Sequence, residues 1–115
     1  MQLQEAPTTL SLFQELMQNN EQLQLVVYTT NWSGTGYLMT SMVTSLEPEV
    51  LQGINAYKLD ATQSAAIKEE YSFCRVPSIL FFYRGKLLSC LEGIQTKELL
   101  LAQIDQLNQK FLYQN

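Results

Sequence analysis

Two short runs, "LQLVVY" at residues 23–28 and "SILFFY" at residues 78–83, constrain this chain more than anything else in it. Both are rich in β-branched and aromatic side chains, and Leu25 to Tyr28 are apolar on consecutive residues instead of alternate ones. A strand with one wet face alternates apolar and polar residues, whereas a strand covered on both faces reads as an unbroken apolar run. These runs therefore predict central strands of a sheet with helices packed on either side.

The rest of the chain supplies those helices. Leu10, Phe13, Leu16 and Met17 recur at helical spacing behind Thr8 and Thr9, either of which can cap the helix, and "QNNEQ" ends it. "MQLQEA" is a candidate edge strand closed by Pro7. A second helix follows the turn at Ser33 to Gly36, with Leu38, Met39, Met42, Val43 and Leu46 on one face, and ends at Glu47-Pro48. "INAYKL" is a shorter strand running to Asp60, and a polar helix starts at Thr62 with Ala66, Ile67 and Tyr71 turned inward. The dipeptide "RG" at residues 84 and 85, ahead of "KLLSCLEG", predicts a tight hairpin and so an antiparallel last pair of strands. Thr96 caps a final helix carrying Leu100, Ile104, Leu107 and Phe111. The order (β)αβαβαββα predicts a three-layer α/β/α fold: a mixed sheet of four or five strands, about four helices, and one domain over residues 1–115.

Composition narrows function by exclusion. Seven Lys and Arg against eleven Asp and Glu give a net charge of −4, and the cations are scattered, so nothing favours nucleic acid or an anionic membrane surface. The N-terminus lacks a basic and then apolar leader, and no apolar run approaches the roughly 18 to 20 residues of a membrane span, so a cytoplasmic location is expected. The sequence contains no histidine, which removes the Ser-His dyad and imidazole metal ligation together. Cys74 and Cys90 are too few for a disulfide framework and too far apart for a metal knuckle. "SGTG" is too short for a phosphate cradle and lacks its lysine, and Glu47, Glu49, Glu69 and Glu70 form no catalytic or cation-binding spacing. No cofactor and no metal are expected.

Trp32, Ser33, Gly34, Thr35 and Gly36 follow the central strand, with Asp60, "RVPS" at residues 75–78, Gly85 and Gly93 further on, and over nearly the whole chain this spacing resembles the thioredoxin family. Where that family has W-C-G-P-C after the central strand, this sequence reads Trp32, Ser33, Gly34, Thr35, Gly36. Asp60 at the third strand's end, "RVPS" at residues 75–78, the hairpin Gly85, and Gly93 before the last helix agree with family markers. The resemblance implies a thioredoxin-like fold and a cis bond at Pro77. It also implies a peptide-binding platform made by Trp32, Gly34, Thr35, Val76, Pro77 and Gly93, where an extended chain can pair with exposed backbone.

The departures fall on the chemistry. Dithiol exchange needs a thiolate, favoured by the helix N-terminus, and a second thiol that resolves the mixed disulfide. Ser33 offers a hydroxyl that ionises too poorly to attack a disulfide, and Gly36 offers nothing. The family's buried aspartate falls at Val27, and the lysine accompanying it falls at Ala56. Ser33 is expected to cap the helix, Met39 and Met42 to sit in the core, and Cys90 to be packed on the same face as Leu88. The function that follows is a redox-inactive thioredoxin-like module binding a protein or peptide, with a homodimer through the platform as one form of that partner. The alternative keeps a role in cell redox homeostasis, with Cys74 beside Arg75 acting as a monothiol.

Overall fold

Strand β2 (Leu23–Thr29) is buried at all seven positions. The computed structural model describes residues 3–18, 21–30, 34–46, 48–73 and 75–112, and among them β2 is the middle strand of five. The sheet order is β1 (Gln4–Glu5), β3 (Ile54–Asp60), β2, β4 (Ser78–Tyr83), β5 (Lys86–Glu92). β1 and β3 run parallel to each other and to β2, whereas β4 is antiparallel to β2, and β5 to β4. Across the sheet Val26 stands between Tyr57 and Leu80, and Val27 between Lys58 and Ile79.

Because side chains alternate along a strand, the two apolar runs feed two cores at once. Leu25, Val27, Ile79 and Phe81 face α2 (Gly34–Thr44), the short α3 (Pro48–Leu51) and α5 (Lys97–Leu107), whose Met39, Val43, Leu51, Leu100, Ile104 and Leu107 close that layer. Val26, Tyr28, Leu80 and Phe82 face α1 (Leu10–Gln18) and α4 (Ala65–Tyr71), meeting Phe13, Met17, Ile67 and Phe73. Edge-to-face rings pin the second layer: Phe13 on Phe82 at 5.4 Å and Tyr28 on Phe73 at 4.7 Å between centroids. Burying each such aliphatic or aromatic side chain contributes about 1.5–3 kcal/mol, which makes this double burial the main source of stability.

Local chemistry sets the boundaries, in several places away from where periodicity put them. The hairpin is a two-residue turn with Arg84 at φ 50° and Gly85 at φ 84°, the doubly left-handed form whose twist suits antiparallel strands. The Gly85 amide also donates to the Met17 carbonyl at 3.1 Å, tying the hairpin to the end of α1. α2 stops at Thr44, short of Glu47-Pro48, where the Thr44 and Ser45 hydroxyls donate back to the carbonyls of Ser41 and Met42. Pro48 then opens α3, a turn that periodicity did not announce, in the first helical position where its missing amide costs nothing.

α4 begins at Ala65 and not at Thr62, because the Asp60 carboxylate holds the Thr62 amide and hydroxyl at 2.9 and 2.7 Å in a turn. With that start Ile67 is buried and Tyr71 half-buried, while Ala66, expected inside, is exposed. Thr96 caps α5 as expected, accepting from the Leu99 amide at 3.2 Å. The helix continues into a wider π turn over Asn108–Leu112, where the Phe111 side chain lies outside what the structure describes.

One expectation about β5 is corrected. Cys90 packs with the α1 and α4 layer, whereas Leu88 packs with the opposite one. A bulge between Phe81 and Phe82 shifts the register, so that Phe81 faces Ser89 and Phe82 faces Leu87. The extra residue breaks the simple alternation that would have put Leu88 and Cys90 on one face.

A polar group stands among this apolar packing. Gln24 is fully buried, and its side-chain oxygen and nitrogen make no hydrogen bond. An unmet buried amide costs about 1–3 kcal/mol. Gln24→Met, similar in length and apolar, is therefore expected to raise unfolding stability by about that amount with an unchanged urea m-value. A loss of stability in the same titration would mean that the amide is satisfied by a buried water.

Candidate functional site

The carboxyl end of β2 runs toward the first turn of α2, and two loops from the other half of the sheet meet it there. The first loop enters β4 through a cis Val76–Pro77 bond, and the Ser78 hydroxyl donates to the Arg75 carbonyl at 2.7 Å to close its turn. The second leaves β5 through Gly93, at φ 85°, a conformation in which a side chain would cost roughly 1–2 kcal/mol. The Gly93 amide donates to the Pro77 carbonyl at 2.8 Å, which fixes the two loops side by side. Two residues on, the Gln95 amide points at Met39 Sδ at 3.4 Å and anchors the second loop to α2. Arg75 and Glu92 bridge the same loops at 3.4 Å, but both are exposed, so the pair contributes about 1 kcal/mol at most.

This arrangement brings three of the expected residues, Val76, Pro77 and Gly93, together on adjoining loops. Gly34 and Thr35 start α2, Val76 and Pro77 form the first loop, and Gly93 contacts Pro77 through its backbone. Val76 is exposed at 43%, while Pro77 is buried. Gly36 is buried in the first turn of α2. Trp32, Ser33 and Cys74 lie outside the described residues.

Two apolar side chains here were not expected to be exposed, Leu38 at 60% and Ile94 at 62%, while Tyr37, 73% exposed, lies on the other flank of α2 toward Leu3, Glu5 and Lys58. Leu38 corrects an expectation, since periodicity placed it on the core face of α2. The inward stripe is Gly36, Met39 and Val43, and Met42 is only half-buried at its flank. A glycine at the head of that stripe carries no hydrophobic signal, so the apolar pattern alone is read one residue too early. A second signal is in the sequence itself: from Gln22 to Leu46 no residue is charged. The exposed side of α2 therefore presents tyrosine, leucine and hydroxyls without a formal charge.

Behind this surface Val27 is fully buried and packed in the α2 layer, paired with Lys58 of β3, while Ala56 of the same cluster pairs with Leu25. A carboxylate at Val27 would stand opposite Lys58 across the β2–β3 ladder and among apolar side chains elsewhere on that face, and its charge would still have to be desolvated. The tyrosines that burial pushes above their ordinary value, Tyr57 and Tyr71, pack on the other face of the sheet. Among the described residues no group of three or more Cys, Asp and Glu side chains could hold a metal ion, and no helix is long and apolar enough to cross a membrane.

The thioredoxin family profile matches residues 4–106. This chain belongs to the thioredoxin family. Among curated relatives it is 25% identical over 105 residues to the chloroplastic thioredoxin Y of Oryza sativa subsp. japonica, covering 91% of this chain and 62% of that protein. A thioredoxin-like protein of Synechocystis sp. is 24% identical over 92 residues, 80% of this chain and 88% of the relative. The chain thus spans less than two thirds of the rice protein's length and most of the cyanobacterial one's.

Solved structures agree on the fold. Mitochondrial thioredoxin 3 of Saccharomyces cerevisiae in its oxidized form superposes with a TM-score of 0.77 at 20% identity, over 90% of this chain and 94% of that one. The thioredoxin of Trypanosoma brucei brucei gives 0.78 at 16% identity, over 92% and 91%. The mixed sheet with helices on both faces is the family's thioredoxin-like α/β fold.

The outward placement of Leu38 can be checked against its neighbour. Leu38→Ser is expected to change unfolding free energy by no more than about 0.5 kcal/mol, as for other exposed sites. Met39→Ala, which empties a buried position, is expected to cost about 2–5 kcal/mol in the same chemical denaturation series. Equal losses would place both side chains in the core.

Proposed function

We propose that this member of the thioredoxin family is a protein- or peptide-binding module without dithiol–disulfide exchange. The observation that carries the reading is a juxtaposition. The loops bearing Val76 and Ile94 are bonded to each other and anchored to α2, whose outer side presents Leu38, while the sequence has serine and glycine at the two motif positions. Exposed apolar side chains beside accessible backbone suit an extended segment, which gains main-chain hydrogen bonds along the Val76 loop and apolar contact from Leu38 and Ile94. Trp32 is assigned to the same surface by its motif position. None of these interactions uses sulfur. Without a thiol at position 33 or 36, electrons have no route to a substrate disulfide through this site.

The partner is assigned as a protein or peptide, and a second copy of the chain is one form it could take. The test uses the immobilised chain as bait in extract from its source cells, beside Trp32→Ala and Ile94→Asp variants, with insulin-disulfide reduction measured in parallel. The expected result is a captured polypeptide lost by about tenfold or more in each variant, equivalent to about 1.4 kcal/mol or above, and no insulin reduction above the reductant alone. Capture unaffected by both substitutions would contradict the surface assignment. Insulin reduction that disappears in Cys74→Ser would favour the monothiol reading instead.

A further inference from the structure

Gly36 reads in sequence as a cysteine position that has lost its side chain, but the packing around it says more. It sits on the sheet side of α2, buried, and the Thr40 hydroxyl donates to its carbonyl at 2.9 Å. A Cβ in ideal geometry on Gly36 would overlap Thr29 Oγ1, lie 3.1 Å from Thr29 Cβ and 3.0 Å from the Thr30 carbonyl oxygen. Real Cβ atoms essentially never approach closer than 3.0 Å, so the first contact is forbidden and the other two are at the limit.

Thr29 has little room to yield. It is the last residue of β2 and is 1% exposed; it pairs with Asp60 of β3, and its carbonyl accepts from the Ala61 amide at 2.8 Å. Its side chain adjoins a cleft of about 90 Å³ shared with Thr30, Tyr37, Thr40 and Lys58. Turning the hydroxyl into that cleft would remove the overlap only if the methyl on the same Cβ also found room, whereas the 3.0 and 3.1 Å contacts to the Thr30 carbonyl and Thr29 Cβ need a shift of only a few tenths of an ångström.

We infer that Thr29 is the residue that closes this site to a second thiol: while threonine stands at position 29, position 36 accepts no side chain, a cysteine's included. The absence of sulfur is then a packed state shared by two residues, and Gly36 is required by its neighbour. The inference concerns chemistry the site excludes and does not depend on whether a peptide binds at the surface outside it.

A double-mutant cycle of Gly36→Ala and Thr29→Ala, read by urea unfolding, tests it first. Alanine is intrinsically better than glycine inside a helix by about 0.8–1.0 kcal/mol, so a free position 36 would gain from the change. The expected result is that Gly36→Ala alone lowers the folded-to-unfolded ratio by tenfold or more, whereas in the Thr29→Ala background it leaves that ratio unchanged or raises it. The same effect of Gly36→Ala in both backgrounds overturns the proposal.

The second arm reads the chemistry. Ser33→Cys with Gly36→Cys, with and without Thr29→Ala, is equilibrated with glutathione disulfide, which takes up the two electrons and leaves as two glutathione thiols when the pair closes. Alkylation and peptide mapping separate positions 33 and 36 from Cys74 and Cys90. At one glutathione redox ratio, the 33–36 bond is expected to populate at least fivefold more in the chain carrying Thr29→Ala. Closure to the same extent with threonine in place contradicts the inference.

Discussion

The burial of β2 on both faces is the constraint on which the rest depends. Because Leu23 to Thr29 are buried at every position, helices must cover the sheet above and below. The chain must then leave the strand's carboxyl end at a rim where helical layers and loops meet. In parallel and mixed α/β sheets that rim is where ligands are commonly placed. Here it collects the start of α2, the Val76–Pro77 loop and the Gly93 loop, held by the Gly93 to Pro77 hydrogen bond and by Met39 beneath Gln95.

What occupies the rim differs from what the family's chemistry requires. Thiol exchange needs two sulfurs and benefits from buried groups that move protons; the resemblance puts serine and glycine at the two sulfur positions and valine at the buried-acid position, and in the sheet that valine pairs with Lys58. The substitutions are physically coherent. A buried carboxylate at Val27 would have no thiol to serve and would still incur its desolvation cost. Threonine at position 29 and glycine at position 36 fit each other as neighbours across the strand and helix. Outside this interior, Leu38, Val76 and Ile94 leave apolar area in water on α2 and on the two loops bonded to each other.

Much of the fold was legible because burial on two faces and helical spacing are written in residue type. The two apolar runs, the Arg84-Gly85 hairpin and the Thr96 cap each appear where the sequence put them. The misreadings share a cause: a local hydrogen bond or a missing side chain that hydropathy does not encode. Asp60 delays α4 by holding Thr62, the Thr44 and Ser45 hydroxyls accompany the early end of α2, and a bulge separates Cys90 from Leu88. Near the rim, motif spacing singled out Gly34 and Thr35, which start α2, and Pro77 and Gly93, whose backbones are bonded to each other. It could not reveal that Leu38 faces outward, because the inward stripe begins with a glycine, nor that Thr29 fills the space beside it.

The central claim is that this surface grips a polypeptide without sulfur. Its most direct test is the dissociation constant of the captured partner for a chain carrying both Cys74→Ser and Cys90→Ser, measured in excess dithiothreitol. The account predicts a value within about twofold of the natural chain's, under 0.5 kcal/mol. Binding that vanishes with the cysteines or with the reductant would show that the contact is a mixed disulfide, and the account would be wrong.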